Sequence, residues 1–362
     1  MPYKRVLAGS VVVGLSLSLT PDAMAAAPRW RAVLTSTEKQ PDRLTSVVSV
    51  SRSNAWAFGA VQNGNRRALV ARHWNGRKWS KVALPKPVDA PRQITTAGAS
   101  ARDNVWAFGG GGDEDTTSFA LRWNGRKWTV SKRWSPDEGL LSDALVLGKN
   151  NVWVFGYNNV GAGVGTWNFN GRTWKRMPSP GFALGEADAV SARDIWAVGA
   201  GPTGCAMAPC SLVARWNGRA WKQIKIPGLP NTEEHYAYLR DVRARSAKDV
   251  WVVGDVTRRQ GTQWTSSPLA LHYNGKKWRR VNPPTAGGVR ALLTVTADGS
   301  GGVWAVPAFR DTETTRHLLR YTKGRWHKVA LPKKAGLQVH QVAAPWAVGE
   351  SSGNGVILKY GR

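Results

Sequence analysis

Asn104-Val105-Trp106-Ala107-Phe108-Gly109, followed by Arg122-Trp123-Asn124-Gly125-Arg126-Lys127-Trp128, is one copy of a pattern that runs the length of the chain. An earlier copy holds Asn54-Ala55-Trp56-Ala57-Phe58-Gly59 and Asn75-Gly76-Arg77-Lys78-Trp79, and three later ones are headed by Trp153, Trp196 and Trp251. A sixth is degenerate, with Val303-Trp304-Ala305-Val306-Pro307 and Lys323-Gly324-Arg325-Trp326, and a seventh opens at Pro345-Trp346-Ala347-Val348-Gly349. The leading Trp falls at 56, 106, 153, 196, 251, 304 and 346, so the spacings are 50, 47, 43, 55, 53 and 42 residues. A period of this size fits four short strands with their turns, which is one blade of a β-propeller. The chain is therefore expected to be all-β, a seven-bladed β-propeller of four-stranded antiparallel blades.

Each unit reads as strands a to d. Strand a is a β-branched run such as Thr45 to Ser51. A tight turn follows, with Asn54, Asn104, Asn151, Asp194 or Asp249 bonding nearby backbone amides. Strand b is the Trp-Ala-Val-Gly stretch, strand c ends at Arg-Trp or its equivalent, and Asn-Gly makes the c–d hairpin turn. Strand d carries the second Trp. These Trp residues alternate with small or polar ones at period two, which turns them toward the neighbouring sheets as core. The seventh unit lacks a Trp-bearing strand d, whereas Pro28-Arg29-Trp30-Arg31-Ala32-Val33-Leu34 near the N-terminus has the form of a strand d without a blade. Pairing the two completes the ring and removes its open edges.

The Trp-Ala-Val-Gly and Trp-Asn-Gly-x-x-Trp pattern resembles the repeat propellers of secreted actinobacterial proteins, and is similar to tectonin-type lectin propellers. The resemblance implies a lectin-like binding role. The Ser-x-Asp-x-Gly-x-x-x-Trp turn of sialidase-type blades and the double Gly of kelch repeats are not reproduced.

Lys4 and Arg5, the apolar run Val6 to Leu19 and the small residues of Ala23-Met24-Ala25 form the three parts of an export signal. Residues 1–25 are expected to be removed, leaving residues 26–362 as one propeller domain in a secreted, extracellular protein. The run is shorter than the ~20 residues of a membrane span. Cys205 and Cys210 are expected to form a disulfide, and so short a loop contributes only about 2 kcal/mol. The formal charge of +28 favours acidic partners, with no specific nucleic acid, metal or cofactor expected.

In a propeller the a–b and c–d turns share one face, and the b–c and d–a loops share the other. The turn face collects cations, including Arg77, Lys78, Arg126, Lys127, Arg172, Arg219, Lys276 and Lys277. The loop face holds aromatics outside the repeat, Trp134, Tyr236, Tyr238 and Trp264, which suit stacking on sugar rings. Strand a lines the axis, and there Asp143, Glu186 and Asp241 stand ten residues before their blade's first Trp, with Arg240 and Arg290 beside them. His73 and His272 read as packing residues.

No nucleophile elbow, zincin motif, P-loop or dinucleotide fingerprint is present. The leading expectation is a secreted, non-catalytic, lectin-like module for cell-surface glycans or anionic polymers, with Trp134, Tyr236, Tyr238, Trp264, Arg240 and Arg290 as ligand contacts. Two alternatives stand beside it. One is a polysaccharide-acting hydrolase or lyase using Asp143, Glu186 and Asp241. The other is a protein-interaction or targeting subunit of a secreted complex.

Overall fold

The computed structural model describes residues 27–64, 66–88, 91–111, 117–135, 139–157, 164–201 and 210–361. The described strands form seven four-stranded antiparallel sheets, six of them in plain a–b–c–d order. In the seventh, strands a (Gln338–Ala343), b (Trp346–Ser351) and c (Asn354–Gly361) are joined by Arg29–Thr35 as strand d. No helix among the described residues is long and apolar enough to cross a membrane. The expected leader lies outside the described residues, as do Cys205 and the Cys210 side chain; the Cys210 backbone pairs with Gly201 in blade 4.

The core is an interlock of aromatic rings between sheets. The strand-b Trp of each blade enters a corner made by the strand-c and strand-d aromatics of the next. Trp56 lies 5.2 Å from both Trp123 and Trp128, Trp106 5.3 Å from Phe169 and 5.8 Å from Trp174, and Trp251 4.8 Å from Tyr321 and 6.1 Å from Trp326. The other side of the ring is often covered from its own blade. His73 stacks on Trp56 at 4.3 Å, His272 on Trp251 at 4.5 Å, and Arg215 lies over Trp196 at 4.9 Å. Many contacts are edge-to-face, the geometry that the ring quadrupoles favour.

The N-terminal strand takes its place in this scheme without a change of rule. Trp30 pairs with Tyr360 across the ladder, and together they form the corner for Trp304, at 5.4 and 5.0 Å. Trp346 of blade 7 then meets Trp74 and Trp79 of blade 1, at 5.2 and 5.0 Å, and the circle is complete. Beyond the strand, buried Arg72 of blade 1 donates to Ser36 and Glu38 and stands 3.8 Å from the Asp42 carboxylate. Lys81 lies 2.5 Å from Glu38 and, with Arg72, holds that carboxyl below its ordinary pKa.

Strand a carries a β-bulge in every blade, between Leu44 and Ser46, Leu239 and Asp241, or the equivalent residues. The bulge explains the glycine that ends the Trp-Ala-Val-Gly stretch. A Cβ on Gly59 would sit 1.8 Å from the Arg43 carbonyl oxygen, and one on Gly254 1.9 Å from that of Tyr238. Blade 6 has Pro307 at this position and keeps the bulge. Several bulge residues reach the next blade: Thr45 donates to the Ile94 carbonyl at 2.7 Å and Ser142 to that of Leu184 at 2.8 Å. In the c–d turns Asn75 accepts from the amides of Arg77 and Lys78 while Gly76 takes φ 96°, and the same bonds recur at Asn124, Asn170, Asn217 and Asn274.

Candidate ligand-binding face

Blade 5 has the longest strands of the ring. Strands a (His235–Ser246) and b (Asp249–Gln260) run 12 residues each and strand c (Gln263–Tyr273) runs 11, against 9, 8 and 7 in blade 4. The added length projects on the loop face. Alternation gives the projection two different sides. One set, with Ala237, Leu239, Val256 and Leu269, packs on Trp196, Val198 and Val213 of blade 4. The other follows the rows Tyr236–Thr257–Ser266 and Tyr238–Asp255–Pro268, with Arg259 opposite Trp264 one row beyond.

This second side is a ladder of aromatic and polar groups. Tyr236 and Trp264 lie 5.9 Å apart, with the Arg259 guanidinium 6.0 Å from the indole. Arg240 covers Tyr238 at 4.7 Å and donates to Asp255 at 2.7 Å. Thr257 donates to the other Asp255 oxygen at 3.0 Å and shares a 2.8 Å hydrogen bond with Ser266. Trp264 is 51% exposed and Tyr238 39%. Arg310 of blade 6 reaches the Ser266 carbonyl at 3.5 Å, and exposed Arg290 stands at a bulge in the blade 6 strand that packs against blade 5.

Five of the six expected ligand contacts, Tyr236, Tyr238, Trp264, Arg240 and Arg290, thus gather where blades 5 and 6 meet. Trp134 does not. It closes strand d of blade 2, is 0% exposed, and packs between sheets at 5.4 Å from Trp174 and 6.4 Å from Trp167. It falls outside the repeat because this strand d runs to 7 residues, against 4 in blades 1, 3 and 4 and 3 in blade 5, so it extends the core and offers no face to a sugar. The ladder also contains Asp255, Thr257 and Ser266, which sequence reasoning missed. Their signal was period-two spacing in Asp255-x-Thr257-x-Arg259 and Trp264-x-Ser266.

Among solved structures the chain is similar in fold to other propellers. YCF48 bound to D1 peptide aligns at 15% identity and a TM-score of 0.59, over 93% of this chain and 98% of that one. Sqt1 from Chaetomium thermophilum aligns at 9% and 0.55, over 92% and 100%, and a chain of the Mitotic Checkpoint Complex at 13% and 0.55, over 99% and 100%. Identities this low establish a shared fold only. No family profile and no curated protein matches the sequence.

The axial carboxylates occupy a second location. Thr96, Asp143, Glu186, Asp241, Thr294 and Gln341, each the residue after its blade's bulge, line an axial cavity of about 280 Å³. Asp143 accepts from Thr96 at 3.0 Å and from the Ala187 amide at 2.9 Å, and so joins blades 2, 3 and 4. Asp241 accepts from its neighbour Val242 at 2.7 Å and from Val295 of blade 6 at 2.6 Å. Asp188 accepts from Ala244 at 2.8 Å and faces Arg243 at 3.3 Å. Glu186 and Asp241 are half-buried at the cavity wall, with protein packed around their carboxyls. Burial pushes Asp143 up to about 6 and Asp241 up to about 8. Glu186 is raised well above the carboxylate range by burial and then by the charges of Asp143 and Asp241. Asp188 is raised by burial, with Arg243 opposing. Both oxygens of Asp143 and of Asp241 are engaged in holding strands in place. Among the described residues no His, Cys, Asp and Glu converge with the geometry of a metal site.

Proposed function

We propose that the protein is a non-catalytic binding module that works outside the cell and holds a glycan chain against the blade 5 ladder. The observation that carries this reading is the placement of Trp264 and Tyr238, both exposed, on one side of the blade 5 sheet, with hydrogen-bonding groups between them. Aromatic faces take up the C–H faces of sugar rings, while the guanidinium groups of Arg240 and Arg259 and the Ser266 hydroxyl suit hydroxyl or acidic substituents, and buried Asp255 and Thr257 hold Arg240 and Ser266 in place. The extracellular setting rests on the export signal read at residues 1–25.

The test is a binding screen of residues 26–362 on immobilised glycans, followed by Trp264→Ala and Tyr238→Ala on the best ligand. Each substitution is expected to weaken binding about tenfold, in the range of interface aromatic anchors, with the melting temperature unchanged. A chain that retains no glycan, or variants that bind as well as the parent, would sink the reading. Release of shortened products that stops with Asp241→Asn in a folded protein would favour the hydrolase or lyase alternative instead.

One observation favours a second reading, a peptide ligand. Strand d of blade 5 (Trp278–Arg280) pairs with strand c only from Leu271 to Tyr273, and Val281 just beyond it donates to the Ala270 carbonyl at 2.9 Å, so Gln263 to Leu269 have no ladder partner strand on their outer side. An extended peptide can add to such a margin by main-chain hydrogen bonds. The similar propeller YCF48 was solved bound to D1 peptide. Co-purification of a protein partner that Trp264→Ala releases would support this reading over the first.

A further inference from the structure

The face opposite the ladder has a charge pattern of its own. In blade 1 the a–b turn brings Arg52 beside the c–d pair Arg77 and Lys78, and in blade 2 Arg102 stands with Arg126 and Lys127, all exposed. The two turns of a blade touch. A Cβ on Gly76 would meet Ser53 at 3.0 Å, one on Gly218 the Arg193 side chain at 2.9 Å, and one on Gly275 that of Lys248 at 2.7 Å. Two or three cations therefore cluster at the turns of each of blades 1 to 5. The Asn side chain that accepts two amides in each c–d turn fixes the backbone beneath these cations, so little ordering remains for a ligand to impose.

Acidic groups are nearly absent from these turns. Among their described residues the one exposed carboxylate is Asp103, held by Lys149 at 2.5 Å. Asp194 and Asp249, where strand b begins, are engaged by Arg215 at 2.6 Å and His272 at 3.0 Å. The pattern thins at blade 6, whose c–d turn keeps exposed Lys323 and Arg325 but whose a–b turn holds Asp298, engaged by Arg320, and it lapses at blade 7, whose a–b turn is Ala344-Pro345. The cations thus form a crescent that is densest over blades 1 to 5 and reaches blade 6.

We infer that this crescent docks a flexible, linear polymer with one anionic group per repeat, separately from the ligand of the blade 5 ladder. Clusters spaced along an arc suit a chain that can bend from blade to blade. A stiff duplex has a persistence length of about 50 nm, so lying along the arc would require costly bending. Arginine in the turns of blades 1 to 4 suits forked hydrogen bonds to phosphate.

The test measures binding of the folded chain to poly(glycerol phosphate) by fluorescence anisotropy across a salt series, with duplex DNA of equal charge as competitor. Charge reversal at Arg77, Lys78, Arg126 and Lys127 to Glu is expected to weaken binding at least thirtyfold and to reduce the log–log salt slope by about 3, at ~0.7 per contact for a flexible chain. The control reverses Lys175, Lys222, Lys225 and Lys333, exposed on the outer rim, and so changes net charge equally; it is expected to lose less than threefold. Lys276→Gln with Lys277→Gln, a milder change on another blade, should lose severalfold. Trp264→Ala should lose nothing. Equal losses in the turn-face and rim variants, no binding by the parent, or tighter binding of the duplex would each overturn the inference.

Discussion

Gly254 sits directly under the bulge that turns Tyr238 and Arg240 outward, and a methyl group there would collide with a carbonyl oxygen that has no other place to go. Gly254→Ala is expected to destabilise the fold by about 3 kcal/mol, the upper end of an overpacked site, and to weaken glycan binding by displacing the ladder. Gly110→Ala is the matched control, because a Cβ there meets nothing within 4 Å and its φ is not positive; denaturant titration of both variants measures the difference. The glycine was legible in the sequence as a recurrent end to strand b. Its cause was not, since the colliding oxygen belongs to strand a, and a bulge leaves no fixed mark in composition. The same limit applies to Arg240. At its position Thr45 and Ser142 staple adjacent blades, whereas Arg240 turns to Asp255 and Tyr238. Trp134 misled in the opposite way, because an aromatic outside a repeat resembles a ligand contact until the extra strand length that buries it is known.

The decisive element is the strand Arg29–Thr35. It supplies Trp30, 2% exposed, to the corner that receives Trp304. Trp30→Ala is expected to cost about 3–5 kcal/mol, as for large aromatics removed from a core. Removing residues 26–37 should lower the melting temperature further, because blade 7 then ends in an open edge at Asn354–Gly361. A synthetic peptide of residues 27–37 added in excess is expected to restore most of that loss by mass action. A truncated chain that melts like its parent would mean that closure lies elsewhere. This element was fully legible, because the missing strand d of one end and the surplus strand d of the other differ from every other unit in complementary ways. The seven-sheet architecture was legible for the same reason, repetition. The ladder was only half legible, because its polar members lie on strands whose length no repeat predicted.

At the scale of the molecule, the axis holds more acid than its surroundings neutralise. Asp143, Glu186, Asp188 and Asp241 share one side of the channel, where Arg243 faces Asp188 and Arg240 is drawn away to Asp255. Their folded pKa values stand above the ordinary carboxylate value, so the folded state binds more protons than the unfolded one, and stability falls as pH rises between the two. His340 opposes this at lower pH. Its Nδ1–H donates to the Leu44 carbonyl and its other ring nitrogen accepts from Arg43, a neutral imidazole whose pKa burial pushes down to about 4. Half-buried His73 and His317 are shifted in the same direction by desolvation. The histidine contributions end near pH 6.5, the ordinary imidazole value, whereas Asp241 titrates at about 8. From pH 6.5 to 8 the denaturation midpoint is therefore expected to fall. Asp241→Asn, which keeps an acceptor for the Val295 amide, should flatten that stretch; an unchanged slope in the variant would exclude Asp241 as its source.

The pairing of Arg29 with Gly361 also sets an order of events. A ribosome makes the first of these two strands before all the others and its partner after them. During nearly all of synthesis the protein is a growing arc with an adhesive end, and its earliest strand has nowhere to dock. Whatever handles the nascent chain must keep that strand from foreign edges until Asn354–Gly361 arrives.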